Sequence, residues 1–183
     1  MVNRRAKKTY LITYESRKKN SFKLSPILSK LTPMEIIEIT PHTSNHFATI
    51  NRQWITKYFR MEPIDEDVLS NPYQKIVNPG GAILFAQENE EIIGTVALKK
   101  HSAEIVELTK MGVYEHAQNR GAGKILIQAA IDKAKTMGFS KIILYSNRKL
   151  ENAIHLYRKL GFVEFNTPDQ LYERCDIQME KNI

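Results

Sequence analysis

The chain is poor in cysteine: its 183 residues contain one, Cys175. A single cysteine excludes a disulfide framework, a cysteine-based zinc site and CxxC redox chemistry, and it is typical of a reducing compartment. We therefore expect a cytoplasmic protein. No apolar run approaches the roughly 18 residues that a membrane span needs, so we expect no membrane partner. No His/Asp/Glu spacing suggests a metal site either, and we expect no metal.

Acidic residues are scarce at the start of the chain. The net charge is +7, yet residues 1–33 hold nine Lys or Arg and a single acid, Glu15, and so carry +8. The remaining 150 residues carry 18 basic and 19 acidic groups, a net charge of −1. We interpret residues 1–33 as a flexible basic extension and residues 34–183 as one domain. A presequence, a phosphate-binding basic arm and a natural start at Met34 remain alternatives for the extension.

Hydrophobic periodicity from residue 34 onward predicts two groups of elements. The first contains a strand, two helices and an antiparallel three-stranded meander, over residues 34–40, 45–59, 62–67, 82–87, 92–99 and 104–113. The second alternates helices and strands, over residues 124–137, 141–146, 150–160, 162–165 and 172–180. This order predicts an α+β fold with a mixed, largely antiparallel central sheet flanked by helices.

A glycine-bearing loop, Gln118–Lys124 (QNRGAGK), separates the two groups. Gly121 and Gly123 allow the backbone to turn sharply and to approach a ligand closely. Amides at the start of a helix attract an oxyanion, and Arg120 and Lys124 add positive charge. The loop therefore predicts an anion site, although the pattern alone is also typical of a tight turn. It matches neither the P-loop nor the G-x-G-x-x-G dinucleotide loop.

A second motif, Asn152–Phe162 (NAIHLYRKLGF), lies further along the chain. Taken alone, it is an amphipathic helix ended by Gly161. Together with the Q-x-x-G-x-G loop it resembles the GNAT superfamily of acyl-CoA-dependent N-acyltransferases, over about residues 35–180 and in a bacterial branch whose acceptors are mostly undefined. The resemblance implies the GNAT fold, acetyl-CoA as co-substrate and direct transfer of an acetyl group to a primary amine. A dimer is common in this superfamily, so a homodimer is one possibility.

The resemblance also implies a set of cofactor-binding residues. The glycine loop would hold the CoA pyrophosphate on its amides, and the strand before it would pair with the pantetheine arm and hold the acetyl carbonyl. Asn152 would contact the cofactor arm. The cofactor-binding residues are then Met111, Gly112, Val113, Gln118, Asn119, Arg120, Gly121, Ala122, Gly123, Lys124 and Asn152.

Two residues are expected to carry the chemistry. Tyr157 occupies the family's position for the proton donor to the departing thiolate, and Glu107 occupies the position of the general base in the histone-acetylating branch. Strand alternation places Glu107, Thr109, Met111 and Val113 on one face, so Glu107 is expected to project into the cleft. The alternatives are that ordered water accepts the amine proton and that Tyr157 only packs its ring.

The acceptor is not apparent from the sequence, and a small-molecule amine and a protein amine both fit. Arg174 and Tyr172 are candidates for recognising an acceptor carboxylate. We expect Trp54 to lie mostly in the core, Cys175 to be a buried small residue, and His116 and His155 to be solvated. Glu62, Asp65, Glu66 and Asp67 are interpreted as a solvated acidic turn in preference to a site that attracts a cationic amine.

Two other classes of function remain open. One is a CoA-binding module or sensor without turnover, and the other is nucleic-acid binding through residues 1–33. We expect no nucleic-acid partner, because the domain itself is close to neutral.

Overall fold

The computed structural model describes residues 33–166 and 173–183. Nearly all of the predicted extension and Tyr172 lie outside the described residues. Within them, seven strands form one sheet in the order β1-β2-β3-β4-β5-β7-β6. All neighbours are antiparallel except β4 and β5, which run parallel. The predicted α+β fold with a mixed, largely antiparallel sheet is confirmed.

The elements agree closely with the hydrophobic pattern. The strands are β1 (Glu35–Glu38), β2 (Ala82–Glu88), β3 (Glu91–Lys100), β4 (Ile105–Val113), β5 (Lys141–Ser146), β6 (Val163–Glu164) and β7 (Ile177–Asn182). The helices are α1 (Ser44–Tyr58), α2 (Pro63–Ser70), α3 (Ala122–Thr136) and α4 (Glu151–Lys159). A π-helical turn, Tyr73–Val77, and a 3₁₀ turn, Glu115–Ala117, complete the described chain.

The last strand begins later than the alternating pattern predicts, at Ile177 instead of residue 172. The backbone amides of Glu173 and Arg174 donate to the carboxylate of Glu62, at 3.3 and 3.4 Å, so both are engaged by a side chain of the α2 N-terminus. Glu173 and Arg174 are therefore tied to the start of α2 and do not extend the sheet.

Helices cover both faces of the sheet and create two apolar layers. On one face, α3 and α4 pack residues such as Leu126, Ala130 and Ile154 against the sheet. On the other face, α1 and α2 contribute Phe47 and Val68, among others. The strands β2 and β3 are consequently buried from both sides over most of their length, which explains their nearly continuous apolar runs.

Candidate active site

A cleft opens where β4 and β5 separate. The two strands pair over three residues each, from Ile105 opposite Lys141 to Glu107 opposite Ile143, and β4 has no β5 partner beyond that point. The cleft has a volume of about 620 Å³. Its lining includes the β4 segment Leu108–Val113, the glycine loop, the first turns of α3 and α4, and the α1 side chains of Trp54 and Tyr58.

The glycine loop lies along this cleft and ends in the N-terminus of α3. Gly121 has a φ of +89° and precedes the first helical residue, which explains why α3 begins at Ala122 and not at Lys124 as predicted. No side chain caps this helix and no acid lies in its first turn. Among the residues that the structure describes, neither a capping side chain nor an acid of the first turn offsets the first amides and the helix dipole, and the site fits a phosphate oxyanion.

Of the predicted cofactor-binding residues, one does not line the cleft. The guanidinium of Arg120 pairs with the carboxylate of Glu88, and Arg120 is not among the lining residues. Lys124 and Asn152 do line the cleft. The side-chain amide of Gln118 donates to the carbonyl of Val113 at 3.3 Å and so ties the loop to the end of β4.

A β-bulge interrupts β4 inside the cleft. Thr109 lies opposite Ala97 and Gly112 lies opposite Thr95, so two residues of β4 fill the space opposite one residue of β3. Lys110, in the bulge, has a φ of +48°, which residues other than glycine seldom adopt. The extra residue reverses the alternation of side chains along the rest of the strand.

The bulge overturns the predicted common face of β4. Val113 and Met111 pack against the α3/α4 layer. Thr109 is paired with Ala97, a residue of the α1/α2 layer, and Glu107 shares its face by alternation. The prediction that Glu107, Thr109, Met111 and Val113 lie on one face is therefore wrong, because strand parity does not survive an inserted residue.

Glu107 is consequently buried beneath the cleft instead of projecting into it, contrary to expectation. Its side chain is 3% exposed and does not line the cleft, whereas Thr109 does. Burial raises the pKa of the Glu107 carboxyl group, opposed by the charge of Lys99 and by a hydrogen bond with the Thr109 side chain. The hydroxyl of Thr109 thus lies between this carboxyl group and the cleft.

Tyr157 lies on α4 with its hydroxyl directed at the sulfur of Met111, at 3.7 Å. Its ring packs against Phe162, with the ring centroids 5.7 Å apart. Burial raises the pKa of the phenol well above its ordinary value, so the hydroxyl stays protonated at neutral pH. The phenol keeps its proton and lines the cleft, so its position, and not its acidity, is what suits it to proton donation.

A buried ionic network lies beside the bulge, and its acid comes from the turn predicted to be solvated. Asp65 is fully buried and accepts hydrogen bonds from Lys110 at 2.8 Å and from both terminal nitrogens of Arg174 at 2.7 and 2.8 Å. Arg174 also pairs with Glu62 at 2.7 Å. Arg174 lines the cleft, but two protein carboxylates already bind its guanidinium, which disfavours the predicted recognition of an acceptor carboxylate.

The solvated interpretation is therefore wrong for Asp65 and for Glu62, whose side chain is 14% exposed and bound to Arg174, and right for two of their neighbours. Glu66 and Asp67 are exposed and pair with Arg52 and Lys75 on the surface. Exposed pairs of this kind contribute little to stability.

The sequence of the chain is similar to those of known acetyltransferases. The sequence model of the acetyltransferase (GNAT) family matches residues 48–162. The chain belongs to the GNAT acetyltransferase family. Mycothiol acetyltransferase of Corynebacterium glutamicum strain R is 34% identical over 80 residues, which cover 44% of this chain and 27% of that protein. An uncharacterized N-acetyltransferase of Escherichia coli K12, YjgM, is 23% identical over 164 residues, which cover 87% of this chain and 96% of that protein.

Solved structures show the same GNAT fold. A GNAT acetyltransferase from Staphylococcus aureus Mu50 has a TM-score of 0.74 and 22% identity, and the match covers 81% of this chain and 98% of that chain. The putative acetyltransferase yncA of Salmonella typhimurium, solved with acetyl-CoA, has a TM-score of 0.65 and 18% identity. This match covers 81% of this chain and 93% of that chain. The mycothiol acetyltransferases that the chain matches are longer, and it spans 27% and 32% of two of them.

The remaining candidates of this GNAT domain have ordinary surroundings. His116 and His155 are exposed as predicted. Cys175 is half-buried in the cleft wall, and burial raises the pKa of its thiol to about 11, so it is not poised as a nucleophile. Trp54 is also half-buried and lines the cleft, so it is less of a core residue than expected.

Residues 33–166 and 173–183 contain no group of three or more His, Cys, Asp or Glu side chains placed to bind a metal ion. In the same described part of the chain, no helix is both long enough and apolar enough to cross a membrane.

Sequence reasoning missed three features of the GNAT cleft: the bulge at Lys110, the burial of Asp65, and the position of Thr109 between Glu107 and the cleft. Only the last had a signal, the i, i+2 spacing of the two residues. Nothing in the local sequence marks the bulge.

Proposed function

We propose that this protein is an N-acetyltransferase that moves an acetyl group from acetyl-CoA directly to a primary amine. The observation that carries the proposal is the cleft between β4 and β5, which has an uncapped α3 N-terminus on one side and a protonated phenol, Tyr157, on another. We further propose that it acts in the cytoplasm, for which the single cysteine is the support.

The residues present fit acetyl-CoA. The amides of the glycine loop, residues 118–124, would hold the pyrophosphate, with Lys124 adding positive charge. The β4 backbone from Leu108 to Val113 has no β5 partner, so it is free to pair with the extended pantetheine arm. Asn152 lines the same cleft and would contact that arm.

Acetyl-CoA supplies a thioester whose carbonyl carbon the neutral amine attacks. The β4 amides near Met111 and Gly112 would stabilise the charge that develops on the carbonyl oxygen. Tyr157 would donate its phenolic proton to the departing sulfur. Glu107 lies beneath Thr109, so we propose that it accepts the amine proton through the Thr109 hydroxyl or through ordered water.

The acceptor is the open part of the proposal. The GNAT relatives and neighbours carry names that include mycothiol, spermidine and phosphinothricin acetyltransferase, which are chemically diverse. We propose only that the acceptor presents a primary amine, as a small molecule or on a protein. A homodimer remains a prediction.

The test is a thiol-release assay with acetyl-CoA over a panel of polyamines, amino acids, aminoglycosides and peptides with free N-termini. Turnover with at least one amine is expected, and Tyr157→Phe is expected to lower kcat at least tenfold while acetyl-CoA still raises the Tm. Initial-rate patterns check the direct transfer, since ping-pong kinetics would contradict it. If acetyl-CoA protects the protein from heat but no amine releases thiol, the protein is a binding module.

A further inference from the structure

We propose that Asp65 is a positioning residue for acetyl transfer. Its buried carboxylate joins three elements that are far apart in sequence: the start of α2, the β4 bulge and segment 173–176. This inference rests on the proposed acetyl transfer for its kinetic consequence. Asp65 does not line the cleft, so any effect on the reaction must pass through the residues that it holds.

The contacts of Asp65 satisfy both of its oxygens. Oδ2 accepts from the backbone amide of Glu62 at 3.1 Å, which closes the first turn of α2, and from Arg174 at 2.7 Å. Oδ1 accepts from Lys110 at 2.8 Å and from Arg174 at 2.8 Å. One fully buried carboxylate therefore fixes the distance between a helix end, a strand bulge and a non-strand segment.

The two cations keep this carboxylate ionised despite its burial. Hydrogen bonds and charge from Arg174 and Lys110 outweigh desolvation, so the pKa of Asp65 lies below its ordinary value. Removal of one member of a buried ion group leaves an uncompensated charge. The network therefore favours one arrangement of its three elements over others.

Two of these elements form the active-site wall. Lys110 is the bulge residue with a φ of +48°, and the next residue, Met111, contacts the hydroxyl of Tyr157. Arg174 lines the cleft, and its carbonyl accepts from the side chain of Asn147 at 2.6 Å. A shift of the bulge would move Met111 and the neighbouring β4 amides relative to the α4 side of the cleft.

The pyrophosphate end of the cleft is held by residues outside the Asp65 network. The glycine loop is tied to β4 by Gln118 and continues into α3, which packs on the opposite face of the sheet from α2. Loss of the Asp65 network should therefore leave binding of the pyrophosphate part of CoA intact and reduce the chemical step. This separation of kcat from affinity for the pyrophosphate distinguishes positioning from general destabilisation.

The experiment compares Asp65→Asn with Asp67→Asn in the full chain. Asp67 lies on the same helix, is exposed and pairs with Lys75, so its substitution controls for a lost charge on α2. Asp65→Asn is expected to retain within twofold the Kd for ADP, which carries the pyrophosphate without the pantetheine arm. It is expected to lose at least tenfold in kcat, with the amine that supports wild-type thiol release. Asp67→Asn should match the wild type in both. An unchanged kcat in a folded Asp65→Asn variant overturns the proposal.

A double variant, Asp65→Asn with Lys110→Met, separates positioning from stability. It removes the acid together with one buried cation, so it should recover most of the stability that Asp65→Asn loses, as measured by urea unfolding. It should not recover kcat, because the bulge and segment 173–176 are no longer joined. Recovery of kcat together with stability would show that Asp65 acts only through stability.

Hydrogen exchange tests whether Asp65 holds the bulge and segment 173–176 in place, and it needs no acceptor amine. In the double variant, amides of residues 108–113 and 173–176 are expected to exchange at least tenfold faster than in the wild type, while those of α3 keep their rates. Unchanged exchange in both segments refutes the proposal, even if no amine is ever found to react. A wild type that releases no thiol, with the expected exchange difference, refutes the acetyl-transfer function and leaves Asp65 as a joint between the three elements.

Discussion

The substitution Gly112→Ala tests the packing of the cleft wall. A Cβ at this position would lie 2.7 Å from Cδ1 of Trp54 and 2.8 Å from Cγ2 of Ile50. Carbon atoms in contact prefer about 3.5–4.0 Å, so one of the two side chains has to move. Ile50 is 1% exposed and has no space to do so.

Trp54 is also restrained, because its indole N–H donates to Oδ1 of Asn51 at 2.9 Å and Asn51 is itself buried. Overpacking of a filled core costs about 1–3 kcal/mol, and a lost hydrogen bond about 1 kcal/mol more. We therefore expect Gly112→Ala to lower the free energy of unfolding by about 2–4 kcal/mol. Movement of the indole would also narrow or reshape the cleft, which Trp54 and Gly112 both line.

Urea unfolding followed by circular dichroism measures the loss, and fluorescence reports the local change because Trp54 is the single tryptophan of the chain. Gly123→Ala is the matched control. Its Cβ would meet Leu156 at 3.4 Å and Met111 at 3.6 Å, which are ordinary contacts, so a change below about 0.5 kcal/mol is expected. A Gly112→Ala variant with wild-type stability and emission would refute the account of the Trp54–β4 packing.

Two further predictions concern the glycine loop and Glu107. Gly121→Ala should lower the free energy of unfolding by about 1 kcal/mol, because Gly121 has a φ of +89°, although a Cβ would meet nothing within 4 Å. The substitution should also weaken CoA binding. A CoA titration that matches the wild type would count against the loop as the pyrophosphate site. Burial raises the pKa of Glu107, so its favourable contribution is complete below the unfolded pKa of about 4.3 and is lost as the pH rises through the folded value. Urea unfolding should accordingly show that the free energy of unfolding of Glu107→Gln, minus that of the wild type, increases between pH 4 and pH 8. A decrease of this difference over the same range would contradict the raised pKa.

The sequence predicted the features that depend on neighbouring residues. Helical spacing located α1 and α3 to within a few residues of the observed bounds. The glycine loop was recognisable because Gly121 is required locally by its left-handed backbone. The acetyltransferase family, too, was apparent from two short motifs, and the match over residues 48–162 confirms it.

Other features depend on residues that are distant in the chain. Asp65 looks like one acid of a solvated turn, and it becomes buried because Lys110 and Arg174, 45 and 109 residues away, meet it in the folded protein. Strand parity placed Glu107 in the cleft, and the bulge at Lys110 removed that relation.

The sequence by itself determined the elements, the glycine loop and the family of this protein, because each depends on a local pattern of glycine, apolar period or motif. The tertiary structure alone decided which charges are buried together, where β4 and β5 separate, and that the carboxyl group of Glu107 does not line the cleft. The physical reason is that burial and register are set by packing partners from different elements, and a linear pattern does not contain those partners.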